Sequence, residues 1–160
     1  RRFESCPRSQ KGKKEMTKLN ILYASMWGNA EDVANDLNQL AMDEGLETSI
    51  AEMNDVTMED FQDMQTVAVV TSTTGHGDVP TNGSDFFDKL EKTDLKLENM
   101  KYGVCALGDT SHDDFCGAGK KIDKRLSDLG AVSIIERQEC DGDTEGSVEW
   151  SQKFIQEIKQ

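Results

Sequence analysis

The chain of 160 residues has only two histidines, two prolines and four cysteines (Cys6, Cys105, Cys116 and Cys140), and no two cysteines form a CxxC pair. No His/Cys cluster has the spacing of a zinc site. No apolar run approaches the ~20 residues that a membrane helix needs, and the apolar core of a secretion signal is missing too. Thiols without such a signal are expected of a reducing, cytoplasmic setting. Basic residues are few: 18 Lys and Arg against 31 Asp and Glu give a formal net charge of -13. A surface this acidic repels phosphate backbones, which excludes nucleic acid as a partner. It attracts basic protein patches, mainly by raising the encounter rate. There is no internal repeat and no low-complexity segment.

What is present fits one domain, long enough to bury a core without staples. Residues 1–15 stand apart, with six basic and two acidic side chains ahead of Met16. They read as a vector-derived leader or a disordered tail, and residues 16–160 as the domain. Strand-like runs fall at residues 19–25, 47–53, 66–72, 102–107 and 132–135. Between and after them lie helical stripes with apolar spacings of three and four. Val33, Ala34, Leu37, Leu40 and Ala41 mark residues 29–44, with Gly45 as a stop. Phe86, Phe87 and Leu90 mark residues 84–92. Ile122, Leu126 and Leu129 mark residues 118–130. Trp150, Phe154, Ile155 and Ile158 mark residues 147–159. Residues 58–64 read as a short helix or turn. The run 66–72 is apolar at its centre, as a strand buried on both faces should be. This alternation predicts an α/β fold, a doubly wound five-stranded parallel sheet with helices on both faces and strand order 2-1-3-4-5. Ligands then belong at the carboxyl ends of strands one, three and four.

A polar loop follows each of those three strands. The first is Ser25-Met26-Trp27-Gly28-Asn29-Ala30. Gly28 permits close backbone approach, and the helix behind it offers free N–H groups and the positive end of its dipole. The loop has no Lys or Arg, so a phosphate here would be held by neutral donors. Ser25 also reads as an ordinary turn residue and Trp27 as a packing residue. The loop is neither GxxxxGK[ST] nor GxGxxG. The second loop runs Ser72-Thr73-Thr74-Gly75-His76-Gly77 and on through Asp78, Pro80 and Asn82. Its glycines and small hydroxyl residues let a flat ring lie against backbone, or make a plain turn capped by Asp78 and Asn82. His76 reads as a surface histidine. The third loop runs from Leu107, Gly108 and Asp109 through His112 and Phe115 to Cys116. Gly108 allows a tight turn, Asp109 can cap it, and His112 and Phe115 are the aromatic candidates to face a ring. Cys105 reads as strand packing.

Taken in order, Ser-Met-Trp-Gly-Asn-Ala-Glu, Ser-Thr-Thr-Gly-His-Gly-Asp-Val-Pro-Thr-Asn and Ala-Leu-Gly-Asp-Thr-Ser-His-Asp-Asp-Phe-Cys-Gly resemble the short-chain flavodoxin family. They are most like the MioC-type flavodoxins and the FMN domains of diflavin reductases. The resemblance spans residue 16 to the C-terminus. It implies noncovalent FMN and one-electron transfer, and no catalytic residue or metal is assigned. By this likeness Ser25 to Ala30 match the phosphate loop, with Trp27 and Ala30 at positions that usually carry hydroxyls. Thr73 to Asp78 match the loop on one face of the isoalloxazine, with Ser72 ahead of it also expected to bind the cofactor and Gly75 at the glycine whose peptide reorients toward flavin N5. Leu107, Gly108, Asp109, His112, Phe115 and Cys116 match the loop on the other face, where His112 replaces an expected tyrosine.

Tyrosine gives a large electron-rich face worth about 0.5–1.5 kcal/mol beyond burial in an aromatic pair. Imidazole is smaller and titrates near pH ~6.5. The expectation is weaker FMN binding than in a tyrosine version and a reduction potential that varies with pH. His112→Tyr should therefore tighten FMN and flatten the pH slope of the potential; equal affinities and equal slopes would refute this role. The bland reading points His112 to solvent while Phe115 or Trp27 shields the ring. Acids near the ring (Asp78, Asp109, Asp113 and Asp114) disfavour an added electron, each by about 0.8 kcal/mol at ~10 Å and an effective dielectric of ~40. Several together lower the potential by on the order of 0.1 V.

These readings predict a low-potential one-electron carrier, monomeric and cytoplasmic. Its donor would be a ferredoxin/flavodoxin-NADP reductase-type, NADPH-dependent enzyme. Its acceptor would be a basic-surfaced redox protein, docked on Asp113, Asp114, Asp141, Asp143 and Glu145; a radical enzyme such as biotin synthase is the analogy. The alternatives are an FMN-dependent quinone or nitro reductase on the same fold, for which the loops offer little material, and an FMN domain cut from a larger diflavin reductase. The end of the chain at Gln160 favours the stand-alone carrier. A signalling receiver domain would need an acidic pair where Ser25-Met26 stand and a phosphoacceptor Asp where Ser72-Thr73 stand.

Overall fold

Strands and helices alternate along the chain, and the sheet they build has the predicted order, β2-β1-β3-β4-β5. The strands are β1 (Lys18–Ala24), β2 (Glu47–Glu52), β3 (Thr66–Thr71), β4 (Lys101–Gly108), β5 (Val132–Ser133) and β6 (Gln138–Asp141). The helices are α1 (Asn29–Asp43), α2 (Met58–Gln62), α3 (Thr81–Lys92), α4 (Gly117–Asp128) and α5 (Ser147–Lys159). The strands pair in parallel. The computed structural model describes residues 18–25, 28–73, 77–108, 116–141 and 144–159. The reading of residues 1–15 lies outside these.

The pleat divides the core into two layers, because successive side chains of a strand face opposite ways. Leu19 and Ile21 of β1, Ala68 and Val70 of β3, and Cys105 and Leu107 of β4 face one layer, which α1 and α5 fill with Val33, Leu37, Trp150, Phe154 and Ile155. Leu22 and Ala24, Val67 and Val69, and Val104 and Ala106 face the other, filled by Phe61, Phe86, Phe87, Leu90, Ile122 and Leu126. The central strand β3 is buried along its whole length, as its apolar run requires.

The structure refines two sequence readings. Residues 132–135 read as one strand, but only β5 joins the ladder there, opposite Lys101 and Tyr102. The same sheet position resumes with β6 opposite Cys105 to Gly108. Adjacent residues of a strand cannot face the same side. The Ile134 N–H still donates to the Tyr102 carbonyl at 3.0 Å; the chain leaves the ladder after it, and both Ile134 and Ile135 pack against the α5 layer. Similarly, α3 starts at Thr81 rather than near residue 84, directly after Pro80, whose φ of -56° leads into a first turn.

Candidate functional site

The ends of β1, β3 and β4 lie side by side at one edge of the sheet. The Ser72 N–H donates to the Ala24 carbonyl at 2.9 Å, and Thr71 is in register with Ala106, two residues before Gly108. Of the residues expected to grip a flavin, Ser25, Gly28, Asn29, Ala30, Ser72, Thr73, Gly77, Leu107, Gly108 and Cys116 are described and follow or close these strand ends. Met26, Trp27, Thr74, Gly75, His76, Asp109, His112 and Phe115 lie outside the described residues, as do Asp113, Asp114 and Asp143 of the expected docking face. Asp141 and Glu145 are exposed beside the end of β6.

The first loop is held from both sides. The Ser25 N–H donates to Asn82 Oδ1 at 3.0 Å, and the Gly28 N–H donates to Ser25 Oγ at 2.8 Å. Gly28 is the N-cap of α1, with φ of 93° and no side-chain cap. A Cβ there would have no atom within 4 Å, so it is the left-handed backbone rather than crowding that favours glycine. The first-turn N–H groups of Asn29, Ala30 and Glu31 have no acceptor inside the helix. Ala30 and Leu107 turn their side chains into the core, so only their backbones could meet a ligand. In the second loop the Thr73 hydroxyl oxygen is buried and has no partner among the described residues.

The third edge closes tightly. A Cβ on Gly108 would lie 2.7 Å from the Cys116 nitrogen, so the backbone on either side of the loop comes together there. Cys116, the N-cap of α4, has φ of 54° and ψ of 29°, a left-handed conformation uncommon for a residue with a side chain. Its thiol is buried and donates toward the Ala106 carbonyl at 3.4 Å and the Cys140 carbonyl at 3.7 Å. Burial first, then Glu139 and Cys140 nearby, push this thiol up to about 12. Cys116 is therefore a neutral packing thiol, and what it offers a ligand is backbone. Cys105 is buried as expected of packing. Farther along α4 the Arg137 guanidinium pairs with Asp123 and Glu139, which ties β6 to α4, and the Tyr102 hydroxyl donates to Asp123.

Two residues that brace the first loop were not singled out by the sequence. Asn82 read as a turn cap, and Glu52 lay unremarked within the strand-like run 47–53. In the structure Asn82 Nδ2 donates to Glu52 Oε2 at 2.7 Å, while the other end of the same amide takes the Ser25 N–H. A partner 57 residues away in sequence leaves no local signal.

The residues present fit FMN. The uncapped first turn of α1 offers an anion neutral backbone donors, with Glu31 and Asp32 in the same turn, and the Thr73 hydroxyl, without a partner among the described residues, stands at the neighbouring strand end, where a buried polar atom calls for a partner.

Comparison with known proteins agrees. The flavodoxin family profile matches residues 21–150. The sulfite reductase [NADPH] flavoprotein alpha-component of Vibrio parahaemolyticus is 39% identical over 145 residues, covering 89% of this chain and 23% of that protein. Its Bacillus subtilis counterpart is 32% identical over 144 residues, covering 89% and 24%. The chain thus spans about a quarter of the length of the curated relatives it matches. Among solved structures, a flavodoxin of Streptococcus pneumoniae TIGR4 superposes with a TM-score of 0.79 at 32% identity, covering 89% of this chain and 97% of that one. A cysteine-to-alanine mutant of Pseudomonas aeruginosa flavodoxin gives 0.78 at 27% identity, covering 89% and 99%. With the matching profile, the sheet order and the three strand-end loops all in agreement, the chain belongs to the flavodoxin family, and FMN is the cofactor that this membership implies.

Proposed function

We propose that this chain is a low-potential electron carrier that receives electrons from an NADPH-dependent reductase and passes them to a basic-surfaced acceptor protein. The observation that carries the reading is the uncapped N-terminal turn of α1 behind Ser25 and Gly28, at the same sheet edge as the partnerless Thr73 hydroxyl. Bound FMN would supply one-electron transfer, and the protein's part is to hold, orient and shield it. Ser25 and the first-turn N–H groups of α1 would hold the phosphate. Thr73 and the backbone at Gly77 would meet one face of the ring, and the Gly108–Cys116 closure would shape the loop on the other. Exposed Asp141 and Glu145, with the acids of the third loop, would steer a basic partner. No described helix is long and apolar enough to cross a membrane.

The first test is an absorbance titration of the purified protein with FMN, followed by stepwise reduction. A perturbed flavin spectrum and a potential below that of free FMN are expected; an unperturbed spectrum would sink the reading. The short span of the sulfite reductase relatives that is matched favours a second reading, an electron-transfer module tethered in a larger reductase. A tethered module works at millimolar effective concentration and needs no tight docking. Reduction by a separate reductase that saturates at micromolar protein supports the carrier. A rate still linear toward millimolar supports the tethered module.

A further inference from the structure

Asn82, which the sequence placed at the end of the second loop, stands in the first turn of α3 and makes the one described side-chain contact to the backbone of Ser25. We propose that Asn82 is a positioning residue for phosphate recognition, holding the first loop ready before the cofactor arrives; this rests on the FMN reading above. Three observations carry it. Asn82 is itself fixed, because its Nδ2 donates to Glu52 Oε2 at 2.7 Å. The turn that carries it is pressed against the end of β1: a Cβ on Gly83 would lie 2.7 Å from Ala24 Cβ. That turn is also clamped by Asn54, whose Nδ2 donates to the Thr81 carbonyl at 2.8 Å and whose Oδ1 accepts the Phe86 N–H at 3.0 Å.

The consequence lies in which groups are left for an anion. With the Ser25 N–H given to Asn82, the chain leaves β1 at a fixed angle. Ser25 Oγ then accepts the Gly28 N–H, so the hydroxyl's acceptor side is used and its proton can be donated. Gly28 is held at the φ that leaves the α1 turn uncapped. Without Asn82, the Ser25 N–H loses its acceptor and the loop must be ordered at the moment of binding, which lowers affinity. That loss falls on the phosphate alone. Riboflavin has the same ring and ribityl chain as FMN and lacks only the phosphate, so it reads the ring loops separately.

The experiment measures FMN and riboflavin dissociation constants for the wild type, Asn82→Ala, and Asn82→Asp combined with Glu52→Gln. The double substitution exchanges donor and acceptor across the pair, keeps its total charge, and restores an acceptor for Ser25. The wild type should prefer FMN; no FMN binding would overturn the functional reading itself. Given that preference, Asn82→Ala should weaken FMN by about tenfold or more while riboflavin changes less than about threefold, with the thermal midpoint recorded alongside. The double variant should regain most of the preference. An unchanged FMN-to-riboflavin ratio in Asn82→Ala, or a folded double variant that lacks the preference, overturns the positioning role and leaves the FMN reading standing.

Discussion

Gly119→Ala should destabilise the protein by about 3 kcal/mol, lowering the thermal midpoint by roughly 6–12 °C for a chain of this size. The added Cβ would lie 2.3 Å from Ala106 Cβ, 3.3 Å from Ala106 Cα and 3.4 Å from Val104 Cγ1. Carbon atoms pack best at about 3.5–4.0 Å, so α4 must lift from the sheet by more than about 1 Å. Ala106 cannot yield, because β4 is held there by Thr71 of β3 and Glu139 of β6. The helix that moves carries Cys116 at its N-terminus, and with it the closure on Gly108, so FMN affinity should fall along with stability. Gly45→Ala is the control. Gly45 has φ of 85° and open space around its Cβ position, so it should lose only the left-handed backbone preference, about 1–2 kcal/mol. A Gly119→Ala midpoint within about 2 °C of wild type would show that α4 sits more loosely on β4 than the packing requires.

The same contact shows what could be read from the chain and what could not. The layers were legible because burial imposes periodicity. Val33 and Leu37 in α1, Phe86 and Leu90 in α3, and Ile122 and Leu126 in α4 repeat at helical spacing, and β3 is apolar throughout its centre. The loops were legible because turns after parallel strands need glycine and small polar residues, and Ser25, Gly28 and Gly108 supply them. β6 was not legible. Gln138, Glu139, Cys140 and Asp141 have no strand-like alternation; they are held in the sheet because the last four residues of β4 would otherwise leave backbone groups unpaired on that side. Nor could sequence give the left-handed backbone of Cys116, whose thiol is drawn inward by the Ala106 and Cys140 carbonyls. Asn82 and Glu52 act through long-range hydrogen bonds, and composition and spacing carry no record of those.

Above about pH 9 the native protein should lose stability steeply, because three buried acids keep their protons only while it is folded. The Cys116 thiol is pushed up from 9.0 to about 12 by burial first, then by Glu139 and Cys140. The Cys105 thiol is raised by its hydrogen bond with Cys140, then by burial. The Tyr102 phenol is raised from 10.0 by burial, then by its hydrogen bond to Asp123. Once unfolded, the thiols ionise near their ordinary values and the phenol about one unit higher. Between those values and the raised ones the unfolded chain binds fewer protons than the native fold, so stability falls as pH rises. Below the ordinary thiol values the contribution is fully present. Each group still protonated in the fold costs about 1.4 kcal/mol per pH unit through that window. Two thiols therefore give a slope near 3 kcal/mol per unit, steeper once the phenol joins. Urea unfolding from pH 8 to 11 under reducing conditions measures this, and Cys116→Ala should remove about 1.4 kcal/mol per unit from the slope while leaving the rest. A flat profile would mean that these thiols reach water in the native state. The Gly108–Cys116 closure that shapes the third loop would then have to open as readily as it forms.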